Sequence, residues 1–301
     1  MKWFFAVDEA GGLKETGELA KLAVQSAFAA GGLEPNLLYH GTTSPFTAWM
    51  EQNGVRVIYT DPEIIGLIRA AEAAGTFRAH SVGHWLRVII PLIETQERYV
   101  LYTDCDVVFL RPYPWAEIRP KIFAAAPEFT PSNWNYFNSG VMVLNTTSMK
   151  ETFAEFSNHI RARIEDGRFD DYNDQRALNE AYRGHWDRLD PRLNWKPYWD
   201  FNPGAALLHF HGPKFSQIDA IANGGWVLNS PSAVQLQTLL DVHIDSYLAW
   251  LCKLSILIRP YKPATADLLR RLASDLAAYK KNRGAFDANN AFMNFKMFPD
   301  E

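Results

Sequence analysis

Tyr99-Val-Leu-Tyr-Thr-Asp104-Cys-Asp106-Val-Val-Phe-Leu110 is the stretch on which the fold of this chain turns. Mostly apolar residues, aromatic or β-branched, lead into two carboxylates, and a second apolar run follows; the lead-in predicts a buried strand. The two-residue period of a strand sends Asp104 and Asp106 together to one side at a sheet edge and Cys105 to the other. Neighbouring carboxylates repel unless a cation lies between them or one is protonated. A hard divalent cation such as Mn²⁺ or Mg²⁺ resolves the repulsion and in turn holds phosphate. The stretch therefore predicts a metal-bound phosphate ester at a strand end.

Upstream, strands and helices alternate. Residues 3–7, 36–40 and 55–59 predict strands. Helices are expected over 16–30 with Thr16 as N-cap, from Pro45 to about 53, from Asp61-Pro62 to about 74, and as one amphipathic helix over 82–94. This alternation predicts an α/β fold with a mostly parallel sheet covered by helices. Ligands of such sheets bind beyond the carboxyl ends of the strands, where Asp8 and Asp104 stand. Downstream, short strands are expected over 121–126, 140–145 and 206–210, and helices over 147–165 and 174–182. After Gly224-Gly225 the chain reads as helical, broken at Pro260 and Pro263. The boundary is placed there, with a catalytic domain over 1–225 and a helical extension over 226–301.

Composition narrows the class. Of 301 residues, 48% are hydrophobic and 21% charged, which marks a globular chain. A net charge of −4 gives no overall attraction to nucleic acid. Two cysteines, Cys105 and Cys252, build no disulfide framework and suit a reducing compartment. The start, Met1 to Asp8, lacks a signal-peptide pattern, and the apolar run over 247–258 is interrupted by Lys253. A cytoplasmic protein is expected. Ten Trp, 12 Tyr and 19 Phe furnish either a large core or a site that stacks sugar or base rings.

Three further segments carry chemistry. In His209-Phe-His211-Gly212-Pro-Lys214, one imidazole can complete a carboxylate metal site, Gly212 allows close backbone approach, and Lys214 can meet phosphate as a point charge. The plainer alternative is two histidines packed on a sheet with a solvated lysine. Asn138-Ser-Gly140-Val-Met-Val-Leu-Asn145 opens a strand with small and amide residues, as suits a ligand close to the backbone or a simple turn. In Asp171-Tyr-Asn-Asp174-Gln175, Asp174 suits the N-cap of the next helix, and Asp174 and Gln175 are both polar enough to reach a sugar hydroxyl.

Taken in this order, the segments resemble glycosyltransferase family 8. Its pattern includes Asp-x-Asp after an apolar strand, Asn-Ala/Ser-Gly-Val, Asp-Gln before a helix, and His-Phe-x-Gly near the domain end. Arg87-Val-Ile-Ile-Pro91 and Phe5-Ala6-Val-Asp8 fit as well, so the resemblance covers about 1–220. It implies a GT-A fold: a Rossmann-like, mostly parallel mixed sheet with helices on both faces, here followed by a C-terminal helical segment. It implies a retaining transfer of a hexose, glucose or galactose, from a UDP-sugar to a saccharide or glycolipid-type acceptor. By the same resemblance Asp104, Asp106 and His209 bind Mn²⁺, with Mg²⁺ as the substitute. Ala6 and Asp8 contact the uracil end, Cys105 and Gly212 belong to donor binding, and Arg87 and Asp174 hold the donor sugar. Asn138 and Gly140 line the sugar and acceptor side, Gln175 lies beneath the anomeric carbon and is catalytic with Asp174, and Lys214 contacts phosphate. This chain departs in two places. Arg176 follows Asp-Gln where the family often has Asp, and Lys214 comes one residue early without the usual Pro-Trp.

Two other classes share features with this set. A haloacid-dehalogenase-type phosphohydrolase also has Asp-x-Asp after an apolar strand, with Asp170-Asp171 as its later acids, but that motif opens its fold, whereas three strands precede Asp104 here. A non-catalytic nucleotide-sugar-binding protein would have no use for a complete metal triad. A zinc site of His209, His211 and Cys105 conflicts with Cys105 facing away from the acids. Between Val234 and Ile258 an apolar stripe at helical spacing predicts core packing. With the basic residues after it, the stripe supports at most weak peripheral contact with the inner membrane face. No motif speaks to oligomeric state.

Overall fold

The computed structural model describes residues 1–75, 82–166 and 172–283. The expected acids Asp170 and Asp171 lie outside the described residues. The chain divides into two compact units, Met1–Asn194 and Trp195–Glu301. The boundary expected at 225 falls inside the second unit.

In the first unit the order is β1 (Lys2–Asp8), α1 (Glu9–Gly12), α2 (Glu15–Ala30), β2 (Glu34–His40), α3 (Pro45–Gln52), β3 (Arg56–Tyr59), α4 (Glu63–Ala73), α5 (Val82–Trp85), a 3₁₀ turn (Leu86–Ile89), α6 (Ile90–Ile93), β4 (Tyr99–Thr103), β5 (Val107–Phe109), β6 (Phe123–Pro127), β7 (Phe137–Asn145), α7 (Thr146–Glu165), α8 (Asp174–Ala181) and β8 (Asp187–Arg188). Seven strands form one sheet in the order β3-β2-β1-β4-β7-β6-β8. β1 is parallel to β2 and β4, β2 to β3, and β6 to β8, whereas β7 runs antiparallel to β4 and β6. The sheet is therefore mixed, with helices on both faces. Strand alternation explains the two layers. Phe4, Leu38, Val100, Tyr102, Met142 and Leu144 share one buried cluster with Ile65, Leu86, Ile89, Phe156 and Ile160. On the other face Trp3 stacks on Phe5 at 4.8 Å and meets Phe109 edge-on, and its indole N–H donates to Thr103 Oγ1 at 2.9 Å. Ser26 of α2 accepts from the Phe109 N–H at 3.0 Å.

Four local expectations are corrected. The single helix over 82–94 is three short pieces, because Pro91 has no N–H for the Arg87 carbonyl and its ring crowds that carbonyl. β4 ends at Thr103, so Asp104-Cys105-Asp106 forms a bend rather than continuing the strand. Lys14, not Thr16, is the N-cap of α2. Asn173, not Asp174, caps α8, accepting from the Arg176 N–H; Asp174 is the first helical residue and is buried. Ser44 caps α3, in a capping box with Thr47.

The second unit contains β9 (Leu207–His209), α9 (Phe215–Ala222), α10 (Pro231–Val242), α11 (Ile244–Leu257) and α12 (Pro263–Asn282). The apolar stripe over 234–258 is split between two helices that meet at His243. Leu240, Ile244, Tyr247, Leu251, Leu254 and Ile258 are buried, as are Leu269, Leu272 and Leu276 of α12. The stripe is thus the core of this unit. Its basic residues pair with acids: Arg271 with Asp219 at 2.9 Å, Lys280 with Asp245, and Arg283 with Asp241 at 2.7 Å. Among the described residues, no helix is long and apolar enough to cross a membrane.

Candidate active site

In the first unit the site gathers where β1, β4 and β7 bring their loops together. Asp8 closes β1 and caps α1, accepting from the Gly11 N–H at 2.7 Å and, through its other oxygen, from the Gly83 N–H at 3.4 Å. The Ala6 carbonyl, on the same strand, accepts from the buried Cys105 thiol at 3.3 Å. Burial, then the charges of Asp104 and Asp106, push that thiol well above its usual pKa. Cys105 is therefore a neutral packing residue in the bend, flanked by two half-buried acids.

Arg87 is the hub. It sits in the 3₁₀ turn before Pro91 and is buried, yet each guanidinium nitrogen has a partner. One terminal nitrogen reaches Asp104 Oδ1 at 2.9 Å. The other donates to the Ser139 carbonyl at 2.6 Å and to Ser139 Oγ at 2.9 Å. Nε donates to the His84 carbonyl at 3.0 Å. Asp174 Oδ2 lies 2.8 Å from the same Nε but receives no aligned hydrogen bond, because the single N–H points at His84. The Arg87–Asp174 contact is thus an ion pair more than a hydrogen bond. The Tyr102 ring lies under the guanidinium, 4.7 Å from its centroid, and the Tyr102 hydroxyl donates to Asp104 Oδ1 at 2.9 Å. Burial disfavours the Arg87 charge, but Asp104 and Asp174 more than offset it and hold its pKa above the usual value. Burial raises the Asp174 carboxyl, against the pull of Arg87 and His84.

A bulge in β7 joins this hub to a second network. Ala125 pairs with Met142 and Ala126 with Asn138, so Ser139, Gly140 and Val141 have no counterpart on β6. Their backbone groups are turned to other uses. The Gly140 carbonyl accepts from the Asp104 N–H at 2.7 Å, and the Ser139 N–H donates to Gln175 Oε1 at 2.9 Å. Asn138 Nδ2 donates to Gln175 Oε1 at 3.1 Å and to Glu128 Oε2 at 2.7 Å, and Gln175 Nε2 reaches Glu128 Oε2 at 3.3 Å. Asn138 Oδ1 accepts from the Gly140 N–H and from Asn194 Nδ2.

Within this unit the structure therefore brings together Arg87, Asp104 and Asp174, and beside them Asn138, Gly140 and Gln175. Sequence reasoning passed over Glu128, Ser139, Tyr102 and Asn194. Glu128 had a readable signal: it is an acid directly after an apolar strand, like Asp8 and Asp104. It is buried, and after burial its charge is the main reason the Tyr136 phenol is pushed up to about 12.

The second unit holds the histidine segment. His209 ends β9 and is buried, and its N–H donates to the Trp195 carbonyl at 2.8 Å. His211 Nδ1 is 3.0 Å from the Tyr198 hydroxyl. Gly212 has φ +106°, a conformation that favours glycine. The Lys214 ammonium donates to the Phe210 carbonyl, and its backbone N–H to Gln217 Oε1 at 2.8 Å.

No family model matches the chain. A 129-residue stretch, 40% of the chain, is 34% identical to glycogenin of Neurospora crassa, and it spans 18% of that relative's length. Among solved structures, the galactosyltransferase LgtC in complex with donor and acceptor sugar analogs superposes with a TM-score of 0.55 at 18% identity, covering 81% of this chain and 96% of that one. Mouse xyloside xylosyltransferase 1 gives a TM-score of 0.51 at 14% identity, covering 70% and 96%. The glycosyltransferase GlyE of Streptococcus pneumoniae gives 0.50 at 19% identity, covering 69% and 54%. The fold is GT-A: a Rossmann-like mixed sheet with flanking helices and a C-terminal helical region.

Proposed function

We propose that the chain is a retaining glycosyltransferase that moves a hexose, glucose or galactose, from a UDP-sugar to a saccharide or glycolipid-type acceptor. The reading rests chiefly on one observation: a buried arginine ties the first Asp of Asp104-x-Asp106 to the bulged strand and to Asp174, one residue from Gln175. The likeness to solved glycosyltransferases supports it. Residues 1–225 are assigned the donor and the chemistry, and 226–301 a helical extension.

Two carboxylates and one imidazole, Asp104, Asp106 and His209, are a donor set that suits Mn²⁺, with Mg²⁺ as the substitute. These residues would hold the ion, whose chemistry is to neutralise charge that develops on the departing diphosphate. Ala6, Asp8 and Cys105 take the nucleotide side, and Gly212 and Lys214 the diphosphate. Arg87 and the Tyr102 hydroxyl hold Asp104 in place, so that carboxylate needs no reorganisation when the donor arrives. Arg87 and Asp174 orient the donor sugar, with Asn138 and Gly140 along it. Gln175 offers its amide toward the anomeric carbon as positive charge builds there. Its Oε1 is already held by the Ser139 N–H and by Asn138, which fixes its orientation in advance. The acceptor hydroxyl then attacks from the face the diphosphate leaves: its oxygen bonds to the anomeric carbon as the bond from that carbon to the diphosphate oxygen breaks, and its proton passes to the departing phosphate.

Two free cysteines, one buried and one exposed, suit a reducing cytoplasm, and contact with the inner membrane face is at most weak and peripheral. No nucleic-acid partner is assigned. A phosphohydrolase is disfavoured because three parallel strands precede Asp104. The test is a panel of nucleotide sugars with Mn²⁺, read as slow donor hydrolysis, followed by early-time NMR of the product. UDP-glucose or UDP-galactose should turn over, the α configuration should persist, and a chelator should stop the reaction. A β product at the first time point removes the retaining mechanism. Binding without turnover of any donor reduces the chain to a nucleotide-sugar receptor.

A further inference from the structure

Tyr102 is fully buried, and the two ends of its side chain answer to different needs. The ring belongs to the buried cluster that holds Phe4, Leu86, Ile89 and Met142, and it lies under the Arg87 guanidinium, 4.7 Å from the ring centroid. A phenylalanine would meet both needs. The hydroxyl therefore has a separate reason, and it donates to Asp104 Oδ1 at 2.9 Å. The same oxygen lies 2.9 Å from a terminal nitrogen of Arg87. A carboxylate oxygen offers about two lone-pair directions, so a hydroxyl proton and a guanidinium together occupy Oδ1. The backbone of Asp104 is fixed as well, because its N–H donates to the Gly140 carbonyl at 2.7 Å. A cation that meets this carboxylate therefore meets Oδ2. That constraint discriminates between cations. Mg²⁺ and Mn²⁺ take a tight octahedral shell, for which one oxygen per carboxylate suffices. The larger Ca²⁺ takes more oxygens at longer range and gains from carboxylates that give both.

We propose that Tyr102 is a positioning residue that, together with Arg87, makes Asp104 a one-oxygen ligand and so tunes the site to Mn²⁺ or Mg²⁺ over Ca²⁺. The inference rests on the proposed function for its cation. The test is calorimetric titration of Mn²⁺ and, separately, Ca²⁺ into the full chain and its Tyr102→Phe variant, with thermal melting of both proteins. The natural chain should bind Mn²⁺ more tightly than Ca²⁺. In the variant that preference should fall about tenfold, because Mn²⁺ loses the fixed orientation of one ligand while Ca²⁺ gains access to Oδ1. An unchanged preference, even where both affinities fall and the melting temperature drops, gives the hydroxyl a purely structural role and overturns the inference. A natural chain that binds Ca²⁺ as tightly as Mn²⁺ overturns it without any variant. The expected shift in a chain that turns over no nucleotide sugar keeps the inference and overturns the glycosyltransferase reading. Binding of neither cation overturns the inference and, with it, the metal part of that reading.

Discussion

Around Arg87 every charged group has a counterpart before any substrate arrives, whereas on α11 the buried Tyr247 hydroxyl has none among the described residues. The first cluster is rigid in advance: one cation, two acids, a bulged strand and an aromatic ring account for one another. The second is incomplete by one acceptor. The contrast teaches where stability goes. A prepaired cluster holds its geometry because each buried charge is met. A buried donor with no partner is a cost the fold carries, so a change at Tyr247 is expected to act on stability and a change at Arg87 on stability and site geometry together.

The sharpest way to break this comparison is Arg87→Ala. It strands Asp174 in a buried site with no cation, at a cost of about 3–5 kcal/mol of stability in urea unfolding. A loss below about 1 kcal/mol would mean that the hub is less buried and coupled than its contacts indicate. Next comes Asp106→Asn, which removes one charged ligand and leaves the Arg87 hub whole. Donor hydrolysis should fall about a hundredfold or more, with unfolding little changed, and extra Mn²⁺ should restore part of it. Gln175→Ala should cost about 1–3 kcal/mol of transition-state stabilisation, seen mainly in kcat. Because Ser139 then loses its acceptor, a stability loss of about 1–3 kcal/mol should accompany it. A normal kcat with reduced stability would leave Gln175 a structural residue.

The smallest effect is a slope. Burial raises the Asp174 carboxyl above its ordinary 3.8, opposed by Arg87 and His84. The folded protein therefore keeps that proton to higher pH than the unfolded chain does. The stability this group contributes is complete below 3.8 and is lost as the pH rises through the raised folded value. Asp174→Asn should remove that part of the pH dependence in urea titrations. A slope identical to the natural chain would show that Arg87 keeps Asp174 ionised at its usual pKa.

Much of the first unit was legible because its signals are local. β1, β2 and β4 follow from apolar runs closed by Asp8, His40 and Asp104, and α3 from Ser44-Pro45. The Pro91 break was written in the chain too, but helical periodicity on either side of it masks the missing N–H. What no local pattern could show is pairing at a distance. Arg87 meets Ser139 and Asp174 across intervening elements, and Glu128 meets Gln175 because a bulge turns the hairpin. The shift of the cap from Asp174 to Asn173 is one residue, yet it decides that the aspartate is buried against arginine and not spent on a helix end. In the second unit the apolar stripe was visible, but the turn at His243 that makes it two helices carries no glycine or proline to mark it.

The bulge at Ser139-Gly140-Val141 also has a consequence for heredity. Arg87 and Gln175 reach the bulge largely through the backbone of Ser139, its carbonyl and its N–H, and Asp104 through the Gly140 carbonyl. A codon change that turns the buried Ser139 into another small residue leaves those atoms in place and forfeits only the hydroxyl contacts to Arg87 and Gln175. Losing that codon altogether would shift the β7 residues on one side of it to the opposite face of the sheet and take away the partners of both Arg87 and Gln175 at once. Descendants of this chain can thus exchange the letter at 139 among small residues but not change the count of letters, and length conservation there is the mark by which lineages keeping this site can be told from those that have lost it.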